Sequence, residues 1–314
     1  MNDNSEKFKA RNQFPMILSG AFLIILLLTC ACDNSEQRKY KPEYGEMPPG
    51  GISVYVIGVH PLHNPQRLHE IFGPLAELLT EKVDKASFKI EASRNYEAFD
   101  RKLYAAKFEF ALPNPYQTVL SLEHGYQVFG KMGDDENFRG IILTRKDANI
   151  RTVADLKKQT VTFPAPTALA ATMMPQYFLQ THGIDINKDI NINYVGSQES
   201  SIMNVFFKNA AAGATWPPPW YALSKERPIL QEELEVKWQT DSLPNNGFVA
   251  RNDVPDRIVR QVAAVLFSLH ETDSGRSILD RMELSQFEPA TDETYRPVVD
   301  FIKKFDEEVR PIKH

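Results

Sequence analysis

The run Ile52-Ser53-Val54-Tyr55-Val56-Ile57-Gly58-Val59, followed closely by Pro65–Lys82, decides the fold class. The first stretch is β-branched and apolar, the composition of a buried strand. The second carries Leu68, Ile71, Phe72, Leu75, Leu78 and Leu79 at i, i+3, i+4 spacing, which predicts a helix opened by Pro65 in its first turn. The alternation then repeats. Strands are expected at Ser87–Ala92, Phe108–Leu112, Tyr126–Lys131, Arg139–Thr144, Thr160–Phe163, Ile190–Val195 and Ala211–Thr215. Helices are expected at Tyr96–Ala106, Tyr116–Glu123, Ala154–Lys158, Ala168–Thr181, Ser200–Phe207 and Pro219–Lys225. Leu234–Gln239 and Gly247–Ala250 are further strands, and Pro255–Leu269, Ser274–Met282 and Asp292–Glu308 read as a helical tail. This order predicts an α/β fold in which each of two lobes is a mainly parallel sheet flanked by helices.

The N-terminus carries a second signal. Met1–Pro15 contains Lys7, Lys9 and Arg11, and the apolar run Met16–Leu28 follows. That run falls short of the ~20 residues a membrane-spanning helix needs. A basic start, a short apolar middle and small residues near a cleavage point describe a secretory signal over residues 1–31. Leu28-Thr29-Cys30-Ala31-Cys32 resembles a bacterial lipobox. Ala31 suits the position before a lipidated Cys32, whereas Cys30, with Leu27 three places ahead, is the other candidate. Removing the first 31 of 314 residues leaves 283, enough for two lobes. The one cysteine then left would carry lipid, so no internal disulfide is expected. Asp33–Gly51 is polar and rich in Lys, Glu, Pro and Gly, so residues 32–51 read as a lipidated, flexible tether. The body would sit in the cell envelope, on the periplasmic or extracytoplasmic face of the membrane. Past residue 31, 33 basic residues face 39 acidic ones. With no basic block among them, nucleic acid is not an expected partner.

Val56-Ile57-Gly58-Val59 is followed by His60-Pro61-Leu62-His63-Asn64-Pro65, and Glu109-Phe110-Ala111 precedes Pro115-Tyr116. Further on stand Val153-Ala154-Asp155-Leu156-Lys157, Val161-Thr162-Phe163, Gly183-Ile184-Asp185 and Val195-Gly196-Ser197. Together these stretches resemble the substrate-binding proteins of bacterial ABC transporters for phosphate, phosphite and phosphonate, which have the type II periplasmic binding fold. The resemblance runs over most of residues 52–314. It implies crossings between lobes near Thr144–Asp147 and Asn245–Phe248. A discontinuous first lobe (52–145 plus 247–314) and a second lobe (146–246) would then trap ligand by hinge closure.

That family grips a phosphorus oxyanion with a Ser-Thr-Ser run at the start of a second-lobe helix, where free N–H groups and the positive helix end favour an anion. The matching stretch here replaces the hydroxyls with Ala168-Leu169-Ala170, and Thr167 alone keeps one. Hydrogen bonds to a charged group contribute ~1.5–3 kcal/mol each. Losing two or three weakens oxyanion binding on the order of a thousandfold or more. The backbone amides of Thr167–Ala170 could still cradle a carboxylate or singly charged group; the plainer reading is a simple helix start. By the same resemblance, Asn114, Tyr116 and Thr118 lie on the first-lobe ligand loop, with helix-start packing as the alternative for the last two. Leu62 stands where the family has an aromatic.

His60 and His63 follow the first strand, at the end where open α/β sheets bind ligands. His63 is a candidate hydrogen-bond donor, with surface exposure the alternative. No cysteine or acidic cluster accompanies the pair, so no metal is expected. Thr215-Trp216-Pro217-Pro218-Pro219-Trp220 is the most unusual run. Its prolines read as a stiffened loop, and its indoles offer apolar surface with an N–H handle. Trp216 is expected at the ligand and one indole in the core. Gln198 and Glu199 are candidate polar contacts, Glu199 suiting an amine. The exchange of hydroxyls for indole and apolar groups points to a small anionic or zwitterionic ligand, phosphonate-like or more organic.

No Gly-x-Ser-x-Gly elbow, His-Glu-x-x-His helix, P-loop or dinucleotide fingerprint is present, so neither an enzyme nor a cofactor is expected. The expectation is a monomeric, lipid-anchored solute-binding protein that delivers its ligand to an ABC permease. The alternative is a ligand-sensing co-receptor for a membrane kinase.

Overall fold

The structure, a computed structural model, describes residues 51–312. The expected signal, Cys30, Cys32 and nearly all of the tether lie outside the described residues. Strands β1 (Ser53–Val59), β2 (Ala86–Ala92), β3 (Phe110–Leu112) and β4 (Tyr126–Met132) alternate with helices α1 (Pro65–Lys82), α2 (Tyr96–Tyr104) and α3 (Pro115–Leu122). There follow β5 (Arg139–Arg145), β6 (Thr160–Phe163), α4 (Met174–Thr181), β7 (Asn191–Tyr194), α5 (Gln198–Phe206), β8 (Ala212–Thr215), α6 (Pro217–Glu226), α7 (Ile229–Glu233) and β9 (Leu234–Ser242). The chain continues through β10 (Gly247–Arg251), α8 (Asp256–Phe267), α9 (Asp273–Arg281), β11 (Phe287–Pro289) and α10 (Arg296–Glu308).

These strands form two sheets, one of six strands in the order β11-β4-β10-β3-β1-β2 and one of five in the order β7-β6-β8-β5-β9. In the first, β1 pairs in parallel with β2 and β3, while β10 runs antiparallel between β3 and β4. In the second, β6 pairs in parallel with β7 and β8, and β5 runs antiparallel between β8 and β9. Each sheet is thus a parallel βα set closed by a strand that the chain supplies when it crosses over.

The chain leaves the six-stranded sheet after Met132, joins the five-stranded one at Arg139, and returns between Ser242 and Gly247. The first crossing therefore precedes β5, not Thr144–Asp147 as expected, and Arg139–Thr144 belongs with the second sheet. The apolar run Ile141-Ile142-Leu143 reads as a buried strand in either sheet. Only long-range pairing with Ala212–Thr215 tells them apart.

Three other expectations shift for local reasons. The helix expected at Ala168–Thr181 begins as a wide π turn, Leu169–Met173, before α4 takes over. Pro175 cannot donate to the carbonyl four residues back, and a π turn accommodates that missing bond. The proline triplet at Pro217–Pro219 is the first turn of α6 and not a loop, because first-turn N–H groups have no intrahelical partner to lose. Residues 153–156 form a single 3₁₀ turn, and β11 was not anticipated.

Burial fixes the layers. Leu68, Phe72, Leu75 and Leu79 from α1 pack with Ile57, Phe88 and Phe110 on one face of the six-stranded sheet, where Ile258, Val262 and Leu279 also lie. A smaller cluster, with Trp220, joins α5 and α6 to β5. The largest cluster contains strand residues from both sheets, among them Ala111, Val249, Ile142 and Phe163, together with Phe99, Leu169, Trp216 and Tyr295 from the connecting elements.

Candidate functional site

A small cavity lies where the C-terminal ends of the parallel strands converge. Its lining follows the connections strand by strand: His60 after β1, Tyr96 after β2, Asn114 after β3, Ala168–Ala171 after β6, Gln198 after β7 and Trp216 after β8. The two crossing segments add Phe138 and Asn246. Ligands of open α/β sheets bind at this end because the strands stop there and the chain must turn, leaving a crevice. The free volume is about 10 Å³, the room of a single water molecule.

One wall is the start of the Leu169–Met173 turn. Ala168 has an extended backbone (φ −72°, ψ 98°), and its carbonyl accepts from the Thr172 and Met173 amides. The N–H groups of Leu169, Ala170 and Ala171 are the first of the helix, which have no intrahelical acceptor. No side chain caps them. They end the positive pole of the helix at a buried cavity. Gly140 of β5 allows this approach, since a Cβ there would stand 2.6 Å from the Ala170 carbonyl oxygen and from Pro175.

The polar part of the lining is largely self-satisfied. Asn114 accepts from the Gln117 amide at 3.1 Å while Gln117 accepts from the Asn114 amide at 3.0 Å, a reciprocal cap on α3. The Asn114 side-chain amide also donates to the Thr167 carbonyl at 3.1 Å, tying the loop after β3 to the loop after β6. Gln198 accepts from the Thr215 hydroxyl at 2.8 Å and lies beside the Tyr96 hydroxyl. His60 shares a hydrogen bond with the Leu112 carbonyl through Nδ1 at 2.9 Å, which leaves Nε2 of the neutral ring as an acceptor. Burial holds His60 down to about 4, outweighing the carbonyl that favours its cation. Asn246 Oδ1 is buried without a partner.

Trp216 is 3% exposed and meets Phe138 edge to face at 5.4 Å. Trp220 is the core anchor. Of the residues expected from sequence, Asn114, Ala168, Gln198 and Trp216 therefore converge on the cavity.

The others stand elsewhere. Thr167 offers its backbone carbonyl to Asn114, and with Tyr116 it lines a separate recess. The Thr118 hydroxyl donates to the Asn114 carbonyl at 3.0 Å, inside the fully buried start of α3. Glu199 lies in a shallow groove with Arg67 and Glu226. His63 is buried, not exposed, and its Nδ1 has no partner. Burial first, then Arg67 and His60, push it down to about 3. Tyr96, Phe138 and Asn246 were missed. Tyr96 follows a helix-cap asparagine, Asn95, much as Tyr116 follows Asn114-Pro115, and that signal was available. Phe138 and Asn246 lie on the crossings, which local patterns do not mark. Among the described residues no three His, Cys, Asp or Glu side chains converge to hold a metal, and no helix is long and apolar enough to cross a membrane.

Comparison with known proteins agrees with this fold. Residues 57–295 match the family described as the periplasmic phosphonate substrate-binding protein of ABC transporters. A probable ABC transporter phosphite binding protein, PhnD1 of Prochlorococcus marinus, is 24% identical over 185 residues, which cover 55% of this chain and 62% of that protein. The chain thus spans under two thirds of that relative's length. The structure of PhnD1 with methylphosphonate superposes with a TM-score of 0.72 at 22% identity, over 81% of this chain and 98% of that one. A binding protein of an ABC phosphonate transporter from Pseudomonas aeruginosa gives a TM-score of 0.74 at 16% identity, over 81% and 88%. The chain belongs to the family of periplasmic substrate-binding proteins of phosphonate ABC transporters.

Proposed function

We propose that this protein is the solute-binding component of an ABC importer and captures a small phosphonate-like anion or zwitterion in the cavity at Leu169–Ala171. One observation carries the reading: the first three residues of the helix, whose amides no side chain caps, line a cavity to which both sheets contribute. Residues 52–132 with 247–312 would form one lobe and residues 139–242 the other, hinged at the two crossings. With about 10 Å³ free, the cavity admits a ligand only when the lobes part, and reclosure would present a distinct surface to a permease.

Main-chain amides, and no Ser-Thr-Ser hydroxyls, would hold the anion, with Trp216 and Phe138 against its organic part and Asn114 and Gln198 as polar contacts. We further propose that Cys32 carries a lipid anchor on the periplasmic or extracytoplasmic face of the membrane, that residues 33–51 are the tether, and that the body acts as a monomer. Isothermal titration against methylphosphonate, phosphite, phosphate, an alkanesulfonate and acetate tests the reading. Saturable binding of a phosphonate or phosphite supports it. A complete absence of binding by all five overturns it.

A further inference from the structure

Beside the central cavity, sharing Tyr96 with it, lies a recess of about 480 Å³ lined chiefly by Tyr96, Asp100, Tyr104, Tyr116, Pro166 and Thr167, with the Glu97–Arg101 pair at its edge. Pockets of this size hold small molecules. α2 and α3 supply the tyrosines from the six-stranded side, and the loop after β6 supplies Pro166 and Thr167 from the other.

We propose that this recess binds a small organic cation, a primary ammonium on a short apolar stem. Three aromatic rings form its walls, and ring faces attract cations, more strongly where water is excluded. The charge balance points the same way. Of the two carboxylates there, Glu97 is paired with Arg101, whereas Asp100 has only the neutral Gln117 amide, at 2.5 Å. Among the described residues no cation pairs with Asp100. Burial accordingly raises the Asp100 carboxyl to about 6, against the smaller pull of the Gln117 hydrogen bond. A positive charge in the recess would reverse that. The Tyr104 hydroxyl is buried without a partner and can accept an ammonium N–H, which favours a primary amine over a quaternary one. Arg310 acts on Tyr116 from outside the lining; its guanidinium donates to the Pro166 carbonyl at 2.7 Å and lies 5.0 Å over Phe305.

The inference stands apart from phosphonate binding, and the test separates the two. Propylammonium chloride is titrated into wild type, Asp100→Asn and Tyr104→Phe, with potassium chloride as the ionic-strength control and methylphosphonate as a second titrant. The Asn retains the acceptor for Gln117 and removes a costly buried charge, so it should fold at least as well at pH 7. The expected result is propylammonium binding to wild type, weakened at least tenfold by Asp100→Asn and severalfold by Tyr104→Phe, with methylphosphonate affinity unchanged. Absence of propylammonium binding to wild type, or equal binding by Asp100→Asn, overturns the inference. Crystals of wild type soaked in propylammonium give a readout independent of either variant: density between Asp100 and Tyr104 supports the site, and density only elsewhere rejects it.

Discussion

On the proposed placement of the anion, restoring one hydroxyl at Ala168 should strengthen oxyanion binding. Ala168 precedes the helix, with extended backbone and no capping side chain. It is buried and lines the cavity. A serine there would place an oxygen within reach of the Ala170 and Ala171 amides, the usual position of a helix cap, worth about 0.5–2 kcal/mol. The added atom enters a space of about 10 Å³, and overpacking of a filled site costs about 1–3 kcal/mol. The two nearly cancel. At roughly 2–4 °C per kcal/mol for a domain of this size, Tm should move only a few degrees. Affinity is decided separately. A hydroxyl that accepts from one of the three amides leaves the other two for the anion and can donate its own proton to an anion oxygen, and a bond to a charged oxygen contributes about 1.5–3 kcal/mol, roughly tenfold to a hundredfold. Titration of Ala168→Ser with methylphosphonate should show at least a tenfold gain over wild type. A folded variant with unchanged or weaker affinity would refute the placement of the anion at this helix start.

Three further outcomes are expected. Trp216→Ala should weaken the binding of the same ligand at least tenfold, about 1.4 kcal/mol; a titration curve overlapping wild type removes Trp216 from the contact surface. His60 and His63, held at about 4 and 3 by burial, stay neutral in the fold while the unfolded chain protonates near 6.5. Stability should therefore be full above pH 6.5 and fall toward pH 4 through these two residues. Replacing both with Gln should flatten that slope in thermal melts, and an unchanged slope would contradict their buried neutral state. Cys32→Ala should move the protein from the membrane to the soluble fraction or leave it unprocessed, and a membrane-embedded, lipid-labelled variant would count against the anchor.

Much of the architecture was legible because each element carries its own signal. The Leu68–Leu79 stripe, Pro65 in the first turn and the β-branched run before them are local, and α1 spans the residues they delimit. The loops at the C-terminal ends of the strands were legible too, since each follows a recognisable strand. What failed was non-local. The sheet membership of Arg139–Arg145 depends on partners some 70 and 100 residues away, and Phe138 and Asn246 reach the cavity only because the chain crosses there.

Spacing also could not rank neighbours within a loop. Asn114 bridges to Thr167 while Tyr116, two residues on, turns into the adjoining recess. Gln198 bonds Thr215 while Glu199 faces Arg67. On a helix start, successive side chains diverge by about a quarter turn or more, so one neighbour reaches the cavity and the next does not. His63, expected either as a hydrogen-bond donor to ligand or as an exposed side chain, is instead buried with Nδ1 unpartnered and outside the cavity lining, a packing fact with no signature in its own sequence.

Backbone amide chemical shifts during a methylphosphonate titration test the central assignment most directly. Ligand seated at the helix start should move the Leu169, Ala170 and Ala171 amide resonances further than any others, together with the Trp216 indole N–H. If those four stay still while ligand saturates the protein, the anion rests somewhere else and the site described at the strand ends is wrong.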